Sequence, residues 1–153
     1  MLRYTGLDAA HFSPLFALDD AALATHGISR VTCTQKRGFP CRITLEDAEP
    51  GETLLLLSHR HQDADSPYRS DGPIFVREKA TATYDSATLP PVFQGRTLSV
   101  RAYDAAGMMV EADLVEGAQA HALCETILAR PDVAYLHVHN AKRGCYAARV
   151  ERL

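Results

Sequence analysis

Apolar residues recur along this chain with two different periods, and the switch between them outlines the fold. Near the start, Asp19 and Asp20 precede Ala21, Ala22, Leu23 and Ala24, with Gly27 as a stop, which predicts a short helix. The stretches 28–33 and 41–45 read as short strands, the first with weak alternation. The stretch 53–58 follows the turn Pro50-Gly51 and is apolar on both faces, as expected of a buried strand. A polar loop is expected over 59–72, then a strand over 73–77. Over 118–130 the period lengthens. Ala120, Leu123, Cys124, Ile127 and Leu128 mark the stripe of an amphipathic helix that Pro131 ends, with Cys124 in the core and His121 and Glu125 on the wet side.

Two hairpins can be registered from alternation alone. Setting Leu98, Val100 and Ala102 opposite Leu114, Ala112 and Val110 gathers apolar residues on one face. The other face then pairs Ser99 with Asp113, Arg101 with Glu111 and Tyr103 with Met109. The connection Ala105-Ala106-Gly107 supplies glycine where a left-handed residue is needed. In the last hairpin, Ala134, Leu136 and Val138 share the core side with Tyr146, Ala148 and Val150. Its other face sets Tyr135 opposite Arg149, His137 opposite Ala147 and His139 opposite Cys145. The fold class expected is α+β in a single domain over 1–153. It has a mostly antiparallel sheet of five to six strands with two tight hairpins, covered by the helix at about 118–130 and a short N-terminal helix.

Composition narrows the function classes. A net charge of −3 without a basic cluster argues against nucleic acid as a partner. The longest apolar run, Leu54 to Leu57, is too short to cross a membrane, and no secretory leader is expected. Cysteines at 33, 41, 124 and 145 form no Cys-x-x-Cys pair, so reduced thiols and a cytoplasmic location are expected. Glycine-rich nucleotide loops, the Gly-x-Ser-x-Gly elbow and the His-Glu-x-x-His helix are all missing.

The polar face of the last hairpin carries the candidate chemistry. His137, His139 and Cys145 are the candidate catalytic residues, a thiol set against an imidazole that could activate it. The rigid turn 67–73 brings Tyr68 and Arg69 and leads to Arg77. With Tyr135, Asn140 and Arg149 these are the candidate ligand-binding residues, for a small anionic molecule held by guanidinium groups. Each arginine could instead be paired: Arg69 with Asp71, Arg77 with Glu78 or Asp104, Arg149 with Glu151 or Asp113.

Two His-x-His pairs, His59/His61 and His137/His139, could each grip one ion, since i and i+2 of a strand point the same way. A three- or four-histidine site would require both strand ends to converge. No carboxylate stands at ligand spacing, and the expectation is no metal ligand and no cofactor. In a different class of reading, Tyr103, Met109 and Tyr135 face outward as anchors of an interaction module or homodimer. Whether the protein is an enzyme stays open at this level.

These residues also carry a resemblance. Cys41-Arg42, Pro50-Gly51-Glu52, Pro67-Tyr68-Arg69, Gly72-Pro73-Ile74-Phe75-Val76-Arg77 and Arg101-Ala102-Tyr103-Asp104 contribute to it. So do Gly107-Met108-Met109, His137-Val138-His139-Asn140 and Gly144-Cys145-Tyr146-Ala147-Ala148-Arg149-Val150. Together they resemble a bacterial family of small proteins catalogued as domain of unknown function 1203. The likeness spans nearly the whole chain and implies a bacterial single-domain protein; it brings no activity with it.

Overall fold

The computed structural model describes residues 1–153. Its strands are β1 (Leu2–Thr5), β2 (Ser29–Thr32), β3 (Thr53–Gln62), β4 (Ser70–Arg77), β5 (Asp85–Ser86), β6 (Thr97–Tyr103), β7 (Met109–Glu116), β8 (Tyr135–Asn140) and β9 (Tyr146–Arg152). Helices α1 (Asp20–Thr25) and α2 (Ala120–Leu128) interrupt them. Six strands form one antiparallel sheet in the order β5-β1-β9-β8-β6-β7, and β2-β3-β4 form a second. The α+β class and a mostly antiparallel sheet agree with the sequence reading; the strands expected over 28–33, 53–58 and 73–77 form a sheet of their own, and β1 and β5, which the sequence pattern did not signal, complete the larger one.

Each sheet has its own core. One face of the large sheet (Leu98, Val100, Ala102, Leu136, Val138, Ala148, Val150) packs against Ala120, Cys124, Ile127 and Leu128 of α2, the stripe expected from the sequence. Cys124 is fully buried. The small sheet packs Leu55, Leu57, Ile74 and Val76 with Phe12, Leu23 and Ile43. The N-terminal helix α1 therefore covers the small sheet rather than the large one. Its start is capped as expected, with Asp19 Oδ1 accepting from Ala22 N–H at 2.8 Å, and Gly27 takes φ +69° behind it.

Several further expectations are corrected. The stretch 41–45 is a buried turn with isolated bridges (Pro40 to Asp47, Cys41 to Phe75) rather than a strand. The expected loop over 59–72 shrinks to 63–69, because β3 continues to Gln62 and β4 begins at Ser70. His59 and His61 read as polar in the sequence, yet they point inward, while Arg60 alternates outward and meets Asp71 across the ladder at 2.7 Å. In the first hairpin the register is one residue off: Leu98 faces Val115, Val100 faces Asp113 and Ala102 faces Glu111. A bulge at Val110 returns Tyr103 to Met109. An edge strand that is mostly exposed has little apolar pattern to pin its register, and β7 is such a strand. The two hairpins join through β8 and β6, with β7 left at the sheet edge, because α2 carries the chain back over the sheet.

The last hairpin slips by two. Leu136 faces Val150, His137 faces Arg149 and Val138 faces Ala148, while His139 faces Tyr146 across a bulge at Ala147. A shift of two keeps every side chain on its face, so the hydrophobic pattern cannot detect it. The bulge does change a face: Tyr146, expected in the core, turns onto the side of the histidines.

Candidate metal centre

His137 and His139 alternate with the core residues Leu136 and Val138, so both imidazoles stand on the far side of the large sheet. The end of β3 crosses this side. His61 sits at a bulge of its own, where pairing skips from Arg60–Asp71 to Gln62–Ser70. The result is a three-histidine cluster whose ligand nitrogens all lie within 4.8 Å of one another. The rings of His61 and His139 are 4.9 Å apart between centroids. His137 and His139 are 2% and 0% exposed.

Aromatic rings wall the cluster. Tyr146 stacks on His61 at 5.6 Å with planes 7° apart, and meets His137 and His139 edge-on. Tyr103 and Tyr135 stack on each other at 5.4 Å and both flank His137. Tyr103, expected as an outward anchor, is 2% exposed and part of this wall. Gln62 Nε2 donates to the Tyr135 hydroxyl at 3.0 Å and ties β3 to β8.

Hydrogen bonding defines the protonation of one ring. The carbonyl of Gly144 can only accept, so His139 Nδ1, 2.8 Å away, is the donor. Burial pushes the basicity of His139 down to about 3 against the opposing pull of that carbonyl, and Arg101, His61 and Arg42 push the same way as burial. The ring is therefore neutral near pH 7, with its proton on Nδ1 and a bare lone pair on Nε2. His137 is also pushed to about 3, by burial first and then by Arg149, His139, His61 and Arg101. Burial lowers His61 as well, with His59 and Arg101 adding to it. His61 Nδ1, His137 Nδ1 and His139 Nε2 are all buried without a hydrogen-bond partner. Three orphaned nitrogens in one place are unusual, since buried polar atoms nearly always find partners.

The other expected site residues separate. Asn140 and Cys145 line a cavity that the three histidines do not share, and Cys145 does not face His139, because Tyr146 occupies that position. Arg77 lies opposite Leu54, at the far end of the small sheet from His61. It is paired with Glu52 at 2.8 Å and Glu46 at 3.1 Å. Arg69 binds Asp63 at 3.1 Å, and Arg149 binds Glu151 at 2.7 Å while covering the Tyr135 ring. These guanidinium groups form no common cluster. Tyr68 is partly exposed, its ring edge-on to Tyr103 at 6.3 Å. His59 stands apart from the triad, between Phe12 and Tyr146.

Sequence reasoning missed Arg101. It lies opposite His137 on β6, half-buried, with a 3.3 Å bond to Ser99 Oγ and no carboxylate partner. Its expected partner Glu111 is bound instead by Arg130. The signal that would have found it is the β6–β8 neighbourhood, which the alternation of two separate hairpins does not contain.

Chemically, the cluster offers three neutral imidazoles, no carboxylate and a nearby unpaired guanidinium. A family model described as "Protein of unknown function (DUF1203)" matches residues 38–152. No curated protein and no solved structure matches the chain significantly. The matched span contains His61, His137, His139, Arg101 and every strand that positions them, and the chain that builds this centre belongs to the DUF1203 family.

Proposed function

We propose that this protein binds a divalent transition metal, zinc or a similarly imidazole-seeking ion, through His61, His137 and His139. The observation that carries the reading is that His61, His137 and His139 bring one ligand nitrogen each within 4.8 Å of one another, and that each of these residues holds a buried ring nitrogen with no hydrogen-bond partner. Each orphaned nitrogen costs about 1–3 kcal/mol, a cost that falls for every one that ligates an ion held by the cluster. Zinc–nitrogen bonds of about 2.0–2.1 Å place tetrahedral ligands roughly 3.4 Å apart, so closure asks for ring movements on the order of 1 Å. The bond from His139 Nδ1 to Gly144 supports the reading, because metal-bound histidines donate their other nitrogen to a fixed acceptor.

Three neutral ligands leave the charge of the ion uncompensated and a coordination position open. Arg101, without a carboxylate of its own, stands where it would hold an anionic group bound at that position. The small anionic ligand expected at Arg69, Arg77 and Arg149 is better supported at Arg101, since those three arginines are each paired with a carboxylate.

The test is elemental analysis of protein purified without an affinity tag, followed by zinc titration of chelator-treated protein by calorimetry. One equivalent of zinc is expected for the unaltered chain and for His59→Ala. His61→Ala and His137→Ala should each weaken binding by at least about tenfold. Uptake by His137→Ala equal to that of the unaltered chain would overturn the reading, as would a chain that takes up no stoichiometric zinc.

A further inference from the structure

A cavity of about 1060 Å³ opens between the two sheets and the segment that precedes β3. Its 17 lining residues include five basic side chains, Arg37, Arg42, Arg96, Lys142 and Arg143, and no aspartate or glutamate. Asp47, outside the lining, neutralises Arg96 through two bonds of 2.7 and 2.9 Å. The other four form no ion pair.

Arg42 is the unusual member. It is 3% exposed, and its hydrogen bonds run to backbone carbonyls only: Nε donates to Tyr146 at 2.7 Å and Nη1 to Pro40 at 2.5 Å. Its Nη2 makes none. Burial lowers its basicity to about 10, which leaves it a cation at neutral pH. A buried guanidinium without a counter-charge is costly, and the cost falls when an anion enters beside it. The same wall carries an apolar surface, with Phe39 and Phe75 at 5.2 Å between ring centroids and Pro73 beside them.

We propose that this cavity is a binding site for a small organic oxyanion, a phosphate ester or carboxylate attached to a flat apolar group. The anionic end sits at Arg42, with Lys142 and Arg143 at the rim, and the flat part lies along Phe39 and Phe75. Arg42 Nη2, which makes no hydrogen bond, can donate to a phosphate or carboxylate oxygen, and no acidic side chain in the lining competes for it. Cys145 and Asn140 belong to this site rather than to the histidines.

The test uses chelator-stripped protein, so its outcome does not depend on the metal centre. Phenyl phosphate, benzoate, inorganic phosphate and benzyl alcohol are titrated separately, with amide chemical shifts as the readout. Phenyl phosphate or benzoate should saturate, at least about tenfold tighter than inorganic phosphate or benzyl alcohol, and the stronger of the two identifies the anion. The double variant Lys142→Ala/Arg143→Ala, on an exposed loop, should weaken that ligand by roughly three- to tenfold, and Arg42→Gln by more. No saturation by either aromatic anion at about 10 mM would overturn the proposal. So would equal binding of benzyl alcohol, or affinity untouched by the rim variant.

Discussion

Acid should unfold this protein earlier than its carboxylates alone would require. His137 and His139 resist protonation in the folded state down to about 3, whereas the same rings in an unfolded chain take up a proton near 6.5. Between these values the unfolded chain holds more protons, so folding stability rises with pH and is lost as pH falls below about 6.5. From pH 7 to pH 5 each ring contributes a loss of about 2 kcal/mol, and the pair about 4 kcal/mol. That is a large part of the roughly 5–15 kcal/mol that holds an ordinary domain together. His61 and His59, both lowered by burial, push in the same direction. The charged groups facing the rings are Arg101, Arg149 and Arg42, none of which would welcome an imidazolium.

The carboxylates act later. Glu52, Asp71, Asp85 and Asp132 are held below their usual range by arginine partners, so their contribution disappears only below about pH 4.5. The assay is urea unfolding of chelator-stripped protein at half-unit steps from pH 7 to 5, with a midpoint fall on the order of 10 °C in parallel thermal scans. His137→Gln/His139→Gln should be less stable at pH 7 and markedly flatter over that range. A flat profile in the unaltered chain between pH 7 and 5 would refute the claim that these rings are held neutral by burial.

Two further outcomes follow from packing. Arg77→Met leaves Glu52, whose side chain is 4% exposed, without its bidentate partner, and should cost about 3 kcal/mol in urea melts; less than about 1 kcal/mol would contradict the burial of that pair. Gly107→Ala forces a φ of +78° on alanine and brings its Cβ to 2.2 Å from that of Ala64, so a loss of about 1–2 kcal/mol is expected. Adding Ala64→Gly should recover the contact part of that loss but not the backbone part, and complete recovery would show the backbone to be unstrained.

Much of the fold was legible because its signals are local. The α2 stripe, the Asp19 cap, the left-handed Gly107 and the inward set Leu136, Val138, Ala148 and Val150 all follow from spacing within one element. Sheet order was not, because nothing in a hairpin says which edge meets the next one, and α2 delivers β8 to β6 rather than to β7. Register failed for two separate reasons. On β7 the apolar pattern is too weak to resist a bulge, and on β8–β9 a two-residue slip is invisible to a period of two.

The histidine cluster shows how these blind spots bear on a site. His137 and His139 could be read as neighbours from sequence, because i and i+2 of a strand share a face. Their meeting with His61 requires a strand of the other sheet and a bulge at His61 itself. A second bulge, at Ala147, brings Tyr146 over the rings and moves Cys145 out of their reach. A bulge adds one residue to one strand and re-aims the side chains beyond it, and where consecutive residues are all apolar, as from Tyr146 to Ala148, the hydrophobic pattern does not show it. The residues of the centre are thus readable one pair at a time, while their convergence is decided by irregularities that alternation averages away. The same reasoning explains Arg101. A regular hairpin gives it Glu111 as a partner; the observed order of strands gives it His137 instead, and leaves its charge facing the cluster.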